Sequence, residues 1–317
     1  MLTVLEGVGV VCIAVVGLQL CKHTYKLLYD YVLGPMFKKN VNFSEYGRWA
    51  VITGATDGIG KACAEFLAQK GMDIVLISRT LSKLETVAAD LEANYKIRTK
   101  VIEADFSNPS PEVYCKIEKE LNTLRPLPIV LVNNVGMSYP YPEYFCDSPE
   151  KDSMYMNIIC CNIVSVTNMT KLLLPNMQEE KKGVVINVSS TSALIPSPLL
   201  SVYAASKAYV HKLSKDLATE YGRSGVLVQC LAPGYVATKM SKIKQSSWMA
   251  PSPEVYVQKA LGTTGIQAVT TGYFPHSLLA GTVLLIESIC PQFAAWLVVR
   301  TMENIRKRAL HRHATAS

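Results

Sequence analysis

The chain has 317 residues, of which 49% are hydrophobic and 18% charged, and a net charge of +7. It is long enough to bury a sizeable core in one large or two small domains, and its composition excludes a disordered chain. Positive charge gathers near the C-terminal end, where Arg300, Arg306, Lys307, Arg308 and Arg312 stand against Glu303 alone. Beside apolar segments such a tail suits anionic lipid headgroups better than nucleic acid, a solvated tail being the alternative.

Gly7 to Cys21 is an uncharged, mostly apolar run, followed by Lys22, His23, Lys26, Lys38 and Lys39. A cleavable signal peptide carries its positive charges before the apolar stretch, and here they follow it. The run is near the lower limit for crossing a bilayer. A signal anchor is expected, with the residues after it on the cytosolic side; a buried helix is the alternative.

From about residue 46 strand-like and helix-like segments alternate, the pattern of a parallel sheet with crossover helices. Trp49 to Thr53 reads as a buried strand, Ile59 to Gln69 as a helix stopping at Gly71, and Asp73 to Ser78 as a second strand. A helix over Leu81 to Asn94 and strands over Lys100 to Ala104 and Pro128 to Asn133 continue the series. A long helix follows Pro149 to about Met177, then a strand over Gly183 to Ser189, a helix over Ser201 to Tyr221 and a strand over Val226 to Leu231. The apolar stretch Ser277 to Val299 contains Glu287 and Pro291, so it reads as a pair of helices. These either lie on a membrane, cover the site or pack against the core. The expected division is 1–45 as anchor and basic linker, 46–275 as catalytic domain, and 276–317 as apolar helical extension and basic tail.

The nine cysteines are scattered without a Cys-x-x-Cys, so neither a disulfide framework nor a zinc site is expected. His311-Arg-His313 is too little for a metal site, and the sequons at Asn168 and Asn187 fall inside the expected core.

Three local patterns carry chemistry. Gly54, Gly58 and Gly60 lie between a strand and a helix, where a glycine turn lets the backbone approach a pyrophosphate at the helix N-terminus. The second strand ends in Ser78-Arg79-Thr80, without the carboxylate that accepts from a ribose 2′-hydroxyl. A guanidinium there pairs with a 2′-phosphate, so NADP(H) is the expected cofactor. Tyr203 and Lys207 are one helical turn apart and share a face. The ammonium is expected to lower the phenol's pKa, and Ser190, thirteen residues earlier at a strand end, to hold a carbonyl oxygen against it.

Together these residues resemble the short-chain dehydrogenase/reductase family over about residues 48–240, through Thr53-Gly-x-x-x-Gly-x-Gly60, Asn133-Asn-Val-Gly136, Ser190, Tyr203-x-x-x-Lys207 and Pro233-Gly234 with Thr238. The resemblance implies an α/β fold, a Rossmann-type doubly wound parallel sheet, here with an N-terminal membrane anchor and a C-terminal apolar helical extension. It implies a catalytic set of Asn162, Ser190, Tyr203 and Lys207, with Asn162 holding a proton-relaying water; Asn157 competes for that role. Dinucleotide contacts are implied for Gly54, Thr56, Asp57, Gly58, Ile59, Gly60, Arg79, Asp105, Asn133, Gly136, Tyr203, Lys207, Pro233, Gly234, Val236 and Thr238. Asp105 would meet the adenine edge, Asn133 and Gly136 the adenine side, and Gly234 to Thr238 the nicotinamide side.

Within the family, Gly47 to Gly60, Asn133 to Phe145, Pro196 to Leu200 and Pro251-Ser-Pro253 are similar to the membrane-bound 17-beta-hydroxysteroid dehydrogenase and very-long-chain 3-oxoacyl-CoA reductase group. What this implies is NADPH-dependent reduction of a lipophilic ketone at the endoplasmic reticulum membrane with the catalytic domain facing the cytosol, first a very-long-chain 3-oxoacyl-CoA in fatty-acid elongation, with a 17-ketosteroid as the alternative. Membrane lipids are implied as partners and nucleic acid is not; a homodimer is left open. A related branch lacks the catalytic tyrosine and would be a silent nucleotide-binding scaffold, but Tyr203 is present. Two features depart from the group: the chain ends Ala314-Thr-Ala-Ser317 without a lysine retrieval signal, and Gly234 stands where many relatives carry an aromatic residue.

Overall fold

The computed structural model describes residues 3–37, 40–107, 110–147 and 151–314; Lys38, Lys39, Pro149 and the last three residues, all part of the expectations above, lie outside it. Seven parallel strands form one sheet: β1 (Trp49–Thr53), β2 (Asp73–Ser78), β3 (Thr99–Glu103), β4 (Val130–Asn133), β5 (Gly183–Val188), β6 (Val226–Leu231) and β7 (Val269–Thr270). Their order is β3-β2-β1-β4-β5-β6-β7. Successive side chains of a strand point to opposite faces. Val51, Ile77, Leu131 and Val185 therefore pack beneath α5 (Pro111–Leu121) and α7 (Ser165–Glu179). Ile52, Leu76, Val132 and Ile186 pack beneath α3 (Gly58–Gln69), α4 (Leu81–Tyr95) and α9 (Pro253–Leu261). Each such side chain, wholly removed from water, contributes about 1.5–3 kcal/mol.

The strand order reverses between β1 and β4, and an open α/β sheet binds ligands at the carboxyl ends beside such a point. Thr53 and Asn133 end these two strands. Most expected elements lie within a residue or two of their observed bounds, and α8 (Ser201–Tyr221) coincides with the expected helix. Helices α5 and α9 and strand β7 are additions.

Helix α6 (Lys151–Ile159) runs into α7 through a π-helical turn, Cys160–Val164. This long apolar helix is half buried in the core. The other described helix long and apolar enough to cross a membrane, Glu6–Met36, has no part of its most apolar window buried. It runs from the first turn of α1 (Val4–Leu28) through a π turn into the short α2 (Gly34–Met36).

The C-terminal apolar stretch is indeed two helices, α10 (Phe274–Ile289) and α11 (Pro291–Ala314). Pro291, with no N–H to donate, begins the second. The expected division at 276 falls inside α10, whose His276 is buried against the sheet's end. α10 also packs along α1: the Ser288 hydroxyl donates to Gln19 Oε1 at 2.9 Å, and the Tyr31 and Ser277 hydroxyls lie 2.8 Å apart.

Candidate active site

The glycine turn is shaped for close approach. Gly54 (φ +67°) and Gly58 (φ +53°) occupy the left-handed region, and a Cβ on Gly54 would stand 2.9 Å from Asn134 Nδ2. Gly60 has still less room, its added Cβ overlapping the Gly54 carbonyl. Asn134 makes this turn rigid by donating from Nδ2 to the carbonyls of Thr53 and Gly54, at 3.1 Å each. Its role was hidden within a motif that the sequence had singled out for its neighbours.

Asp57 caps α3, accepting from the Gly58 amide at 2.8 Å, and pairs with Lys239. The remaining first-turn amides, Ile59 and Gly60, have no acceptor within the helix, an arrangement that suits an anion. Thr56 reaches Ser78 across the turn, the two hydroxyls 3.2 Å apart.

At the ends of β2 and β3 the exposed Arg79 and Asp105 come together. Burial opposes ionisation of Asp105, but the amide and hydroxyl of Ser107 and the Arg79 guanidinium hold its carboxyl below the usual range. No carboxylate ends β2, and a guanidinium there suits a 2′-phosphate. A tight glycine cradle, open helix amides and this basic corner together fit an NADP(H) molecule.

Asn133 sits differently from the expectation. Its side chain is buried and donates to Thr170 Oγ1 at 3.0 Å and Asn187 Oδ1 at 2.8 Å. That network is internal to the fold, so the side chain is committed away from the cleft. Val236 likewise belongs to the core. Both donors of the Asn133 amide go to this network, while its Oδ1 is buried without a partner.

The reactive groups converge beyond β5 and on α8. Ser190 follows β5 and its hydroxyl accepts from the Ser192 amide at 3.2 Å. The Ser190 hydroxyl lies beside that of Tyr203 and acts to lower the phenol's pKa. Lys207 is buried, with Nζ donating to the Val188 carbonyl at 2.9 Å and lying 5.9 Å from the centre of the Tyr203 ring. Burial lowers its pKa to about 8.

The expected lowering of the Tyr203 phenol is absent. Burial pushes it up, the Ser190 hydroxyl counters in part, and Tyr235 adds to the rise. The physical reason is burial of the phenol itself, which disfavours the phenolate by more than its neighbours restore.

Asn162 lies in the π turn and is wholly buried. Its Oδ1 accepts from the Met137 amide at 2.7 Å, and its Nδ2 donates to the Met137 carbonyl and Ser206 Oγ at 2.9 Å each. A Cβ on Gly136 would stand 3.2 Å from both Asn162 Oδ1 and Lys207 Nζ, so glycine lets these groups approach. Asn162 is thus placed beside the lysine.

Across the cleft the Pro233 carbonyl accepts from the Thr191 amide at 2.8 Å, tying the β6 loop to the Ser190 turn. Thr238 faces Gly58, its methyl 3.1 Å from where a Cβ would stand. Gly234 is covered by the His276 imidazole, 2.8 Å from an added Cβ. An aromatic residue at 234 therefore requires His276 to move, which accounts for glycine here. His276 Nε2 lies 3.0 Å from the Tyr235 carbonyl and 3.2 Å from that of Met249.

Residues 48–248 match the family model described as short chain dehydrogenase. The very-long-chain 3-oxoacyl-CoA reductase of Anas platyrhynchos is 48% identical over 265 residues, 83% of each chain. The Homo sapiens protein of the same name is 44% identical over 261 residues, 82% of this chain and 80% of that one. Among solved structures, the short-chain dehydrogenase from Sphingobium yanoikuyae in complex with NADPH aligns with a TM-score of 0.63 and 26% identity, covering 71% of this chain and 87% of that one.

Proposed function

The chain belongs to the short-chain dehydrogenase family, and on that footing we propose that it is an NADPH-dependent reductase of very-long-chain 3-oxoacyl-CoA, forming the 3-hydroxyacyl-CoA in fatty-acid elongation. The observation that carries this is the convergence of Ser190, Tyr203 and Lys207 at the strand ends beside a glycine cradle cornered by Arg79. The substrate is supported by relatives at 43–49% identity that bear that name.

NADPH, when bound, supplies the hydride. Tyr203 keeps its proton at neutral pH because burial raises its pKa, and it gives that proton to the carbonyl oxygen as the alcohol forms. Ser190 holds the same oxygen by a hydrogen bond that strengthens as negative charge develops there. Lys207, with a pKa of about 8, is the nearby ammonium that restores the tyrosine's proton. Asn162 spends its side chain on Met137 and Ser206, so any water it holds in that relay is held by its main chain. The π turn supports this reading, because it takes Asn162 out of the regular i to i−4 pattern, and such turns are frequent at functional sites.

The location proposed is the endoplasmic reticulum membrane with the catalytic domain in the cytosol. It is supported by the apolar helix Glu6–Met36, the cations Lys22 and Lys26, and the packing of α10 along α1. The reading is tested by NADPH consumption with a long-chain 3-oxoacyl-CoA set beside a 17-ketosteroid. Turnover of the steroid alone would overturn the substrate.

A further inference from the structure

The loop after β4 is fastened at successive points to the π turn, to the start of α8 and to the residue pair that precedes it. Met137 is bonded through both main-chain groups to Asn162. The Tyr139 hydroxyl accepts from the Val202 amide at 3.1 Å, one residue before Tyr203. The Glu143 amide donates to the Leu199 carbonyl at 2.9 Å. Leu199 has φ +63°, a conformation that leucine keeps only where its surroundings hold it.

The outer end of this loop is gripped by a helix from the far end of the chain. The Glu143 side chain is 7% exposed, and Arg306 Nε on α11 donates to its Oε1 at 2.6 Å. The adjacent Tyr144 hydroxyl donates to Glu303 Oε1 at 2.5 Å, and the Arg306 guanidinium lies 5.5 Å from the centre of the Tyr144 ring. Glu303 and Arg306, three residues apart, share one face of α11. Two neighbouring loop residues are therefore held by two neighbouring helix residues. A carboxylate as buried as Glu143 persists only with its partner, since an unpaired charge there is strongly unfavourable.

The first turns of α11 expose Phe293, Trp296 and Leu297, and α11 follows directly on α10, which packs along the apolar α1. One helix thus joins the apolar helices α1 and α10 to the loop that is bonded to Asn162 and to the start of α8. Neither Glu143 nor Arg306 belongs to the reacting set, and the dinucleotide cradle lies at β1, β2 and β3.

We propose that Glu143 and Arg306 are positioning residues, a clasp by which α11 holds the 137–147 loop against α8 so that the cleft keeps its shape for a long lipophilic ketone. The clasp governs substrate binding and leaves the chemical step to Tyr203. This rests on the reductase reading for its kinetic arm alone.

The test uses the full chain in membranes or detergent with NADPH. Arg306→Ala is expected to raise KM for a long-chain 3-oxoacyl-CoA by about ten-fold or more, with kcat within about two-fold and NADPH affinity unchanged. Amide exchange should quicken in residues 137–147 and stay constant in 54–60. The reversed pair, Glu143→Arg with Arg306→Glu, should recover part of the KM. Unchanged KM and unchanged exchange would overturn the clasp. So would a joint fall of kcat, NADPH affinity and melting temperature with no recovery in the reversed pair. If Arg306→Ala does not fold, Tyr144→Phe removes only the Glu303 tie and should move KM and exchange in the same direction; no movement overturns the proposal. Exchange is read without turnover, so an inactive wild type would sink the reductase reading and still leave the clasp decided.

Discussion

Lys207 donates from Nζ to the main-chain carbonyl of Val188 at 2.9 Å while standing 5.9 Å from the centre of the Tyr203 ring. The ammonium is thereby fixed in a buried position, where desolvation brings its pKa to about 8, and the phenol beside it is raised. The titration that matters near neutrality is then that of the lysine.

Reduction consumes a proton, and in the proposed relay it needs Lys207 in its acid form. The kcat/KM for the ketone is expected to be level below the lysine's pKa and to fall as pH rises through about 8. Oxidation of the alcohol should change in the opposite sense. Lys207→Arg, whose guanidinium stays charged throughout, should remove the alkaline limb at a reduced rate. A limb that persists in that variant assigns the titration to another group.

Ser190→Ala removes the hydroxyl that faces Tyr203. The expected cost is about 10²–10³ in kcat, the range for losing one preorganised donor. NADPH affinity, read by fluorescence titration, should be unchanged.

Arg79 stands exposed at the end of β2 with no carboxylate beside it on that strand. Arg79→Ala is expected to weaken NADPH by about 10–100-fold, the size of a lost charge-assisted hydrogen bond. NADH affinity should barely move. Equal losses for both cofactors would place the 2′-phosphate elsewhere.

His276 couples stability to acid. Burial holds its imidazole below the ordinary value, the carbonyls of Met249 and Tyr235 countering in part. The unfolded chain takes up this proton near pH ~6.5, and the folded chain resists it. Its contribution is therefore present above that pH and is lost as pH falls below it. His276→Gln, which keeps a donor for the two carbonyls, should lose less melting temperature than wild type on acidification. An identical loss would exclude His276 as the source.

What the sequence showed plainly was local and periodic. Tyr203 and Lys207 share a helix face, Ser190 ends a strand, and α8 has the bounds that its pattern predicts. Helix α5 had the right spacing in Val113, Ile117 and Leu121, but its lysines and glutamates obscured it, and the two-residue β7 is too short to read. The π turn that buries Asn162 has no periodic signature. The Asn134 contacts and the Glu143–Arg306 pair arise from tertiary packing, the latter across 163 residues. Asn133 shows the limit from the other side: the motif was recognised, yet its side chain serves the core network with Thr170 and Asn187.

The most direct measurement is NADPH oxidation by membranes carrying the wild type or Tyr203→Phe, given a long-chain 3-oxoacyl-CoA. The account predicts turnover by wild type, a loss of about 10²–10⁴ in the variant, and equal NADPH binding by both. Equal turnover by the two proteins would contradict Tyr203 as the proton donor, and no turnover by either would contradict the reductase itself.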